Sequence, residues 1–348
     1  MPLQTGKVPP RLLEGLVFNY LGCRREEVLV PAAFGEDSSV LDLGGSHVIL
    51  STDPITAAGA DAGRLAVIVS CNDVAASGGE PVGVLLTIIL PSGATAEDLQ
   101  QIMTRAHETA KELSVEIIGG HTEVVPHVTQ PILSATAVGK AFEDAVHWPI
   151  LSSSSEEGDA LILTKTAGIE GTAILAADFA DILRQQGVSD DVLTEGELMG
   201  RDISVVCDAR IAAGAGARAM HDVTEGGVLG AVYEMIIAAQ CGAIIYEDQI
   251  PIADCTREIC ALMDLDPLRL ISSGALLIAA AQDSAVTDAL NRAGVPACVI
   301  GKVTADGGVM LRQGIPGGGE TMTPVRPPGR DEIWRAYARF RAQDVPGE

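Results

Sequence analysis

The spacing of apolar residues along the chain alternates between helical and extended patterns. Leucine, valine and tyrosine recur three and four residues apart directly after Pro9-Pro10, which predicts an amphipathic opening helix that packs on the core. A second helix is predicted over residues 63–77, and Gly78-Gly79 is expected to end it. A third is predicted after Thr95, whose hydroxyl is suited to cap it.

Short apolar runs between polar turns predict strands. In the first half they cover residues 47–52 (ending at Asp53-Pro54), 82–90, a short run ending at Ile118 before a Gly-Gly-His-Thr turn, and 132–138. In the second half, strands over 160–164, 242–246, 275–280 and 298–302 alternate with helices over 171–183, 203–213, 227–239 and 285–293, and a last helix over 331–340 precedes a polar terminus. Both halves are therefore predicted to be mixed α/β layers.

The stretch LSSSSEEGD over residues 151–159 is polar, rich in serine and without periodicity. Such a composition is typical of a linker, although an ordinary surface loop is an alternative interpretation. A length of 348 residues also suits two domains. We therefore predict an N-terminal domain over 1–150 and a C-terminal domain over 151–348.

Composition narrows the classes of partner. With 47% hydrophobic and 20% charged residues, the chain has the composition of a packed globular protein. Its 47 acidic and 23 basic residues give a net charge of -24, which repels phosphate backbones and anionic membranes, so neither nucleic acid nor a membrane is an expected partner. The seven cysteines form no CxxC pair and no apolar run approaches membrane-spanning length, which favours a cytoplasmic protein.

Five turns combine acidic or amide side chains with glycines near the end of a predicted strand or helix. They contain Glu36-Asp37, Asp53, Asn72-Asp73, GGHTE over 119–123, and HDVTEGG over 221–227. Carboxylates supply oxygen ligands for a divalent cation, and glycine-exposed N–H groups suit phosphate oxygens. Asp73 carries the sharpest signal because its helix is otherwise apolar. Asp37 and Asp53 could equally be ordinary turn formers, and His121 fits a hydrogen-bonded loop residue better than a metal ligand.

Taken in order, these segments resemble the aminoimidazole-ribonucleotide-synthetase (PurM-like) superfamily of ATP-binding enzymes, and within it the hydrogenase-maturation (HypE) branch. GEDSSV from Gly35 is similar to its GDDAA-type segment, and STD ending at Asp53 to its TTD. CNDVAASGGEP from Cys71 resembles the N-D-(L/I)-A-x-x-G-A-x-P signature, and IIGGHTEV from Ile117 resembles the GG(D/E)T segment. MHDVTEGG from Met220 is similar to RDPTRGG in the second domain.

This resemblance implies an N-terminal domain whose strands complete a β-barrel with a second copy in a homodimer, beside a C-terminal α/β domain. It implies ATP and Mg²⁺ as cofactors, with Asp37, Asp53 and Asp73 on the metal and Asn72 beside them. Gly119, Gly120 and Thr122 would approach the nucleotide, while Asp73 and Asp222 would be catalytic, with Asp222 near the transferred group. The implied reaction moves the γ-phosphoryl group of ATP to an oxygen of a small-molecule or carbamoyl-type substrate.

Three positions depart from the pattern of the branch. His121 stands where GG(D/E)T has an acid, and Glu36 replaces the first aspartate of the acidic pair. Members of the branch end in a carbamoyl-carrying cysteine, whereas the last cysteine here is Cys298, so self-carbamoyl dehydration is not expected. A small-molecule kinase similar to thiamine-monophosphate kinase and a non-catalytic ATP-binding scaffold therefore stay open as alternatives.

Overall fold

The computed structural model of the chain describes residues 7–8, 10–56, 61–282, 284–305, 308–314 and 318–340. The first part contains, in order, α1 (Pro10–Leu16), β1 (Val28–Val30), β2 (Ser39–Asp42), β3 (His47–Ile55), α2 (Ala62–Ala76), β4 (Gly79–Pro91), α3 (Ala96–Glu112), β5 (Glu116–Val125) and β6 (Ile132–Ala141). These strands form one six-stranded sheet in the order β1-β2-β3-β6-β4-β5. Every pair in it is antiparallel except β4 and β5.

Helices α2 and α3 cover one face of this first sheet. On β4 the alternate residues Val84, Leu86, Ile88 and Leu90 are buried under them, whereas Leu85 between them is 41% exposed. This alternation is the period of two expected for a strand with one covered face. The other face of the sheet has no covering element among the described residues.

The second part of the chain forms a seven-stranded sheet in the order β13-β12-β9-β11-β7-β10-β8. Its elements are β7 (Ala160–Thr164), α4 (Ile169–Asp178), α5 (Ala180–Gln185), α6 (Asp190–Met199), α7 (Val206–Ala215), β8 (Ala219–Asp222), α8 (Gly227–Ala238), β9 (Gly242–Tyr246), α9 (Asp254–Met263), β10 (Leu276–Ala280), α10 (Val286–Arg292), β11 (Ala297–Thr304), β12 (Val309–Gly314), β13 (Glu320–Pro324) and α11 (Glu332–Phe340). All residues of β7 and β10 are buried because helices pack on both faces: α8 on one, α7 and α10 on the other. The predicted mixed α/β architecture is confirmed, and the structure divides it between two sheets.

Two predicted turns in the first sheet are wrong. Strand β3 continues through Asp53-Pro54, since β2 pairs only as far as Leu50 and the missing N–H of Pro54 therefore breaks no ladder bond on that side. Strand β5 runs through the Gly-Gly-His-Thr segment instead of turning there. Gly120 lies so close to β4 that a Cβ would sit 1.9 Å from the carbonyl oxygen of Leu86, so glycine is what permits the pairing.

The termini of the described chain also differ from expectation. The opening helix exists as α1, but Leu16, Val17, Tyr20 and Leu21 after its first turns are exposed and do not pack on the core. The final helix α11 packs its aromatic residues against Phe179, as a helix with an apolar face should. The predicted polar terminus, 341–348, lies outside the described residues. In the described part of the chain, none of the helices combines the length and apolar character that crossing a membrane requires.

Candidate functional site

The acidic loop before β2 lies against α8 of the second sheet. Gly35 has a φ of +82°, and a Cβ there would lie 2.8 Å from the carbonyl oxygen of Glu234, so glycine allows an approach that other residues would block. The approach brings Asp37 to the end of β8, where its Oδ1 lies 2.6 Å from Nδ1 of His221. The second ring nitrogen of His221, Nε2, lies 3.1 Å from Oε2 of Glu234.

His221 is buried between these two carboxylates. Burial disfavours the charged imidazole, but Asp37 and then Glu234 outweigh it and raise the pKa of His221 well above its ordinary value. The ring therefore carries a proton on both nitrogens and donates one hydrogen bond to each acid. Burial alone would raise the pKa of Glu234. The neighbouring Lys7 and His221 outweigh burial, so the pKa of Glu234 is lowered.

Lys7 reaches the same cluster from the N-terminal segment. Its Nζ lies 3.2 Å from Oγ1 of Thr224 and 4.0 Å from Oε2 of Glu234, and its backbone N–H donates to Glu225 Oε2 at 3.3 Å. Half of the side chain is exposed. Lys7 thus places a solvent-accessible cation beside the acidic groups.

Asp73 on α2 and Asp222 at the end of β8 form the buried centre of the site. Ser51 on β3 donates a hydrogen bond from Oγ to Asp73 Oδ2 at 2.6 Å, and Asp53 lies two residues further on the same face of β3. Burial, and then the charges of Asp222, Asp53 and Asp37, raise the pKa of Asp73 well above its ordinary value. The site therefore holds more negative charge than its own residues neutralise.

Asp222 has an unpartnered oxygen. Burial and the charge of Asp37 raise the pKa of Asp222 to about 7, although His221 acts in the opposite direction. Its Oδ2 is buried and has no hydrogen-bond partner among the described residues. Buried polar atoms are nearly always paired, so an orphaned carboxylate oxygen in an acidic cluster fits a cation or a ligand proton.

The donor set suits magnesium. Among the described residues, no three histidine, cysteine or acidic side chains are already arranged around a common point as ligands. Mg²⁺ does not require such a cage, since it keeps several waters and binds through one or two carboxylates together with substrate phosphates. The observation that favours it is the excess of negative charge: Asp222, Asp53 and Asp37 raise the pKa of Asp73, and Asp37 and Asp53 raise the pKa of Asp222, and a bound cation would remove this repulsion.

The structure thus brings four predicted residues together from both sheets: Asp37, Asp53, Asp73 and Asp222. The glycine pair of β5 lies elsewhere in this chain. Asp53, Ala135, Leu86 and Gly120 occupy one row across β3, β6, β4 and β5. Three strand spacings separate the ends of that row, about 14 Å. Gly119, Gly120 and Thr122 therefore do not touch the carboxylate cluster within one chain.

Two further motif residues have other surroundings. The Asn72 side chain donates from Nδ2 to the carbonyl oxygen of Ile203 and accepts at Oδ1 from the N–H of Val205, both at 2.9 Å. Both of its polar groups are thus used within the protein. His121 is exposed on β5, with Nε2 3.7 Å from Oε2 of Glu123.

Sequence reasoning missed Glu234, Ser51 and Lys7, and it selected the turn that contains His221 without giving that residue a role. Glu234 had a signal, because it interrupts the apolar helix AVYEMII as Asp73 interrupts VSCNDVAA. His221 stood beside a selected aspartate but had no partner at a recognisable spacing. Nothing in the local sequence of Ser51 or Lys7 connects them with an acid more than 20 residues away.

The two sheets with an acidic cluster between them define a two-domain α/β protein, and family models identify the family. The N-terminal domain of AIR synthase related proteins matches residues 35–141, and the C-terminal domain of the same proteins matches 156–313. The chain belongs to the AIR synthase related protein family, and within it to the PurM-like, HypE branch that its motifs predicted.

Individual relatives agree with this assignment. A protein of Methanocaldococcus jannaschii named for hydrogenase expression or formation is 31% identical over 294 residues, which are 80% of this chain and 82% of the relative. Carbamoyl dehydratase HypE of Escherichia coli is 30% identical over 79% of this chain and 83% of its own length. The crystal structure of a HypE protein in complex with ATP has a TM-score of 0.65 and 22% identity, and the match covers 95% of this chain and 98% of that one.

Proposed function

We propose that the chain binds ATP with magnesium at the acidic cluster and transfers the γ-phosphoryl group to an oxygen of a small-molecule or carbamoyl-type acceptor. The observation that carries this proposal is the convergence of Asp37, Asp53, Asp73 and Asp222 with one buried oxygen left unpaired. The kinship with carbamoyl dehydratases and the fold shared with an ATP-bound HypE protein support the choice of nucleotide.

Asp37, Asp53 and Asp73 would hold the magnesium ion. When bound, the ion supplies positive charge that neutralises phosphate oxygens and polarises the γ-phosphoryl group. His221 keeps Asp37 turned toward the cluster through its 2.6 Å contact, and Ser51 fixes Asp73 through its hydroxyl. Phosphoryl transfer requires positioning and charge neutralisation more than covalent chemistry, so this arrangement of fixed carboxylates suits it.

Asp222 is suited to take the proton of the acceptor. Its pKa of about 7 lies near neutral pH, where a carboxyl group can be ionised before transfer and protonated after it. Its unpaired Oδ2 has no competing donor among the described residues. Lys7, partly exposed at the edge of the cluster, provides a positive charge for the phosphate chain.

The proposed transfer of the phosphoryl group to an acceptor is tested by measuring ADP release. Purified protein with MgATP is incubated with a panel of small acceptors, including carbamoyl phosphate and simple carboxamides, and ADP is measured by a coupled assay. We expect one acceptor class to raise ADP formation, and Asp222→Asn to abolish the increase while MgATP still binds. Tight MgATP binding with no increase for any acceptor would favour the non-catalytic scaffold instead.

We also propose that the chain acts as a homodimer through β5. Within the described part of the chain this edge strand pairs only with β4, and both of its faces are largely exposed, including Ile118 and Val124. An apolar edge strand left open is usually covered in the working protein. A second copy that pairs with it would continue the sheet toward the barrel expected for the family.

A further inference from the structure

The amide of Asn72 joins the two parts of the molecule. Its side chain is fully buried on α2, directly before Asp73. It makes two hydrogen bonds to the backbone of the segment 203–205, with Ile203 O and Val205 N, more than 130 residues away in sequence. A bidentate amide on a backbone N–H and a C=O fixes direction as well as distance, because both polar atoms must be met at once.

Lys165, directly after β7, binds the backbone of the same region through its side chain. Its Nζ donates to the carbonyl oxygens of Ser204 at 2.7 Å and Asp202 at 3.3 Å, and it lies 3.4 Å from Asp208 Oδ2. The φ of Lys165 is +56°, in the left-handed region that non-glycine residues rarely adopt. Such backbone strain persists only where surrounding contacts enforce it, so the position of this side chain is strongly determined.

The contacts continue from Lys165 to the strand beside Asp222. Asp208 Oδ2 accepts a hydrogen bond from Thr164 Oγ1 at 3.0 Å, and the same hydroxyl oxygen accepts from the N–H of Leu276, also at 3.0 Å. Leu276 pairs directly with Asp222 in the second sheet. A series of buried and partly buried polar contacts, joined through the backbone of 203–205, therefore runs from the residue before Asp73 to the strand partner of Asp222.

From this series we infer that Asn72 is a positioning residue: its amide fixes the orientation of the first sheet relative to the second and so sets the separation of Asp73 and Asp222. This inference rests on the proposed function where it concerns metal and ATP, but the orientation itself is a property of the protein alone. A fixed separation matters because Asp73 lies on α2, which packs on the first sheet, whereas Asp222 ends β8 of the second sheet. Displacing a group that orients a metal ligand typically lowers metal affinity about 10- to 100-fold.

Asn72→Ala removes both hydrogen bonds, and Ser70→Ala is its matched control. Ser70 lies on the same helix, is equally buried, and donates from Oγ to Ala135 O at 3.0 Å, a bond that stays within the first sheet. Asn72→Ala thus loses two buried hydrogen bonds of α2 and Ser70→Ala loses one, but only the first variant releases the segment 203–205. Lys165→Met is the second test variant and is used if Asn72→Ala does not fold. It removes the hydrogen bonds of Lys165 to Asp202 O and Ser204 O and so also loosens the segment 203–205.

The orientation is measured without any ligand, by pulsed electron paramagnetic resonance between spin labels on α3 and α9. The labels are attached at Glu108→Cys and Glu258→Cys, two exposed positions. The cysteines that are exposed or partly buried are replaced by serine for this purpose, namely Cys23, Cys207, Cys241 and Cys298. We expect a narrow distance distribution in the parent and in Ser70→Ala, and a broadened or shifted one in Asn72→Ala and Lys165→Met.

The consequence for the site is measured by the magnesium concentration that half-saturates ATP binding. We expect it to rise about tenfold in Asn72→Ala and to be unchanged in Ser70→Ala. A distance distribution in Asn72→Ala and Lys165→Met as narrow as in the control would overturn the inference. If the parent protein does not bind MgATP, the proposed function fails, while the label distances still decide the role of Asn72.

Discussion

At the scale of single residues, the site is governed by buried acids that repel each other. Asp73 was identifiable from sequence because a carboxylate inside an apolar helix needs a partner, and the same reasoning applied to α8 would have found Glu234. The pairing of His221 with both Asp37 and Glu234 was not predictable, since it depends on three segments that meet only in the fold.

The first residue-scale prediction concerns pH and magnesium. Protons compete with the metal for Asp73, whose pKa is raised, and the charge of its neighbour Asp222, whose pKa is raised to about 7, adds to the attraction for the cation once Asp222 is ionised. At subsaturating magnesium, ATP affinity should therefore rise as the pH increases through 7. Calorimetry in buffers of different ionisation enthalpy should show net proton release below pH 7. Affinity independent of pH between 5.5 and 8 would contradict the assignment of Asp73 as a magnesium ligand.

The second concerns the stability of the metal-free protein. Because the folded pKa of Asp222 is higher than its unfolded value, the native state binds more protons than the unfolded state between about pH 4 and 7. Its contribution to stability is therefore full below about pH 4 and is lost as the pH rises through 7. Asp222→Asn should stabilise the metal-free protein at pH 8 by about 1 to 4 kcal/mol in urea unfolding. A variant less stable than the parent at pH 8 would show that the carboxylate is compensated.

At the scale of elements, the wrong predictions are turns that were placed at glycine and proline residues. Gly-Gly in β5 and Asp-Pro in β3 are typical of turns, yet both lie within strands. Their roles depend on which neighbour pairs with which edge, and a local pattern does not contain that information. Where local chemistry is sufficient, prediction succeeded: Thr95 caps α3 through the N–H of Asp98, whose carboxylate accepts from the N–H of Thr95 in return.

The two glycines of β5 give a matched pair of substitutions. Gly120→Ala should destabilise the protein by about 2 to 4 kcal/mol, because its Cβ would meet the Leu86 carbonyl at 1.9 Å and push β5 away from β4. Gly119→Ala should cost less, since its Cβ would meet only the Leu85 side chain, at 3.2 Å. Urea unfolding of both variants measures the difference. Equal losses would mean that backbone conformation, not the close approach, determines the need for glycine.

At the scale of the whole molecule, the sequence predicted two α/β halves and a negatively charged protein, but not how the halves meet. The domain boundary at 150/151 stays a prediction, although the matched family domains fall on either side of it. The exposed apolar residues after α1 illustrate why the contacts between parts of the molecule were not predictable. Their spacing indicates a buried face, but periodicity does not tell which surface, or which copy of the chain, buries it. The contact of Asn72 with 203–205 was equally unpredictable, because its partners are backbone groups, which every residue type carries.

The proposed dimer gives a prediction at this scale. Val124 is 59% exposed on the open edge strand β5, so Val124→Lys should weaken association by placing a charge in the interface. Light scattering after size exclusion should show a dimer for the parent and a shift toward monomer for the variant. Glu108→Lys on the exposed face of α3 introduces the same side chain away from β5 and should leave the dimer intact. A parent that is monomeric at all concentrations would contradict the dimer.

The central claim is that the buried carboxylates bind ATP through magnesium, and calorimetric titration with ATP tests it most directly. The parent protein and Asp73→Asn are titrated with and without magnesium, and Asp159→Asn serves as the control because Asp159 is a buried aspartate outside the cluster. We expect binding that requires magnesium in the parent and in Asp159→Asn, and binding at least tenfold weaker in Asp73→Asn with an unchanged circular dichroism spectrum. Equal affinity in Asp73→Asn, or no magnesium dependence in the parent, would contradict the account.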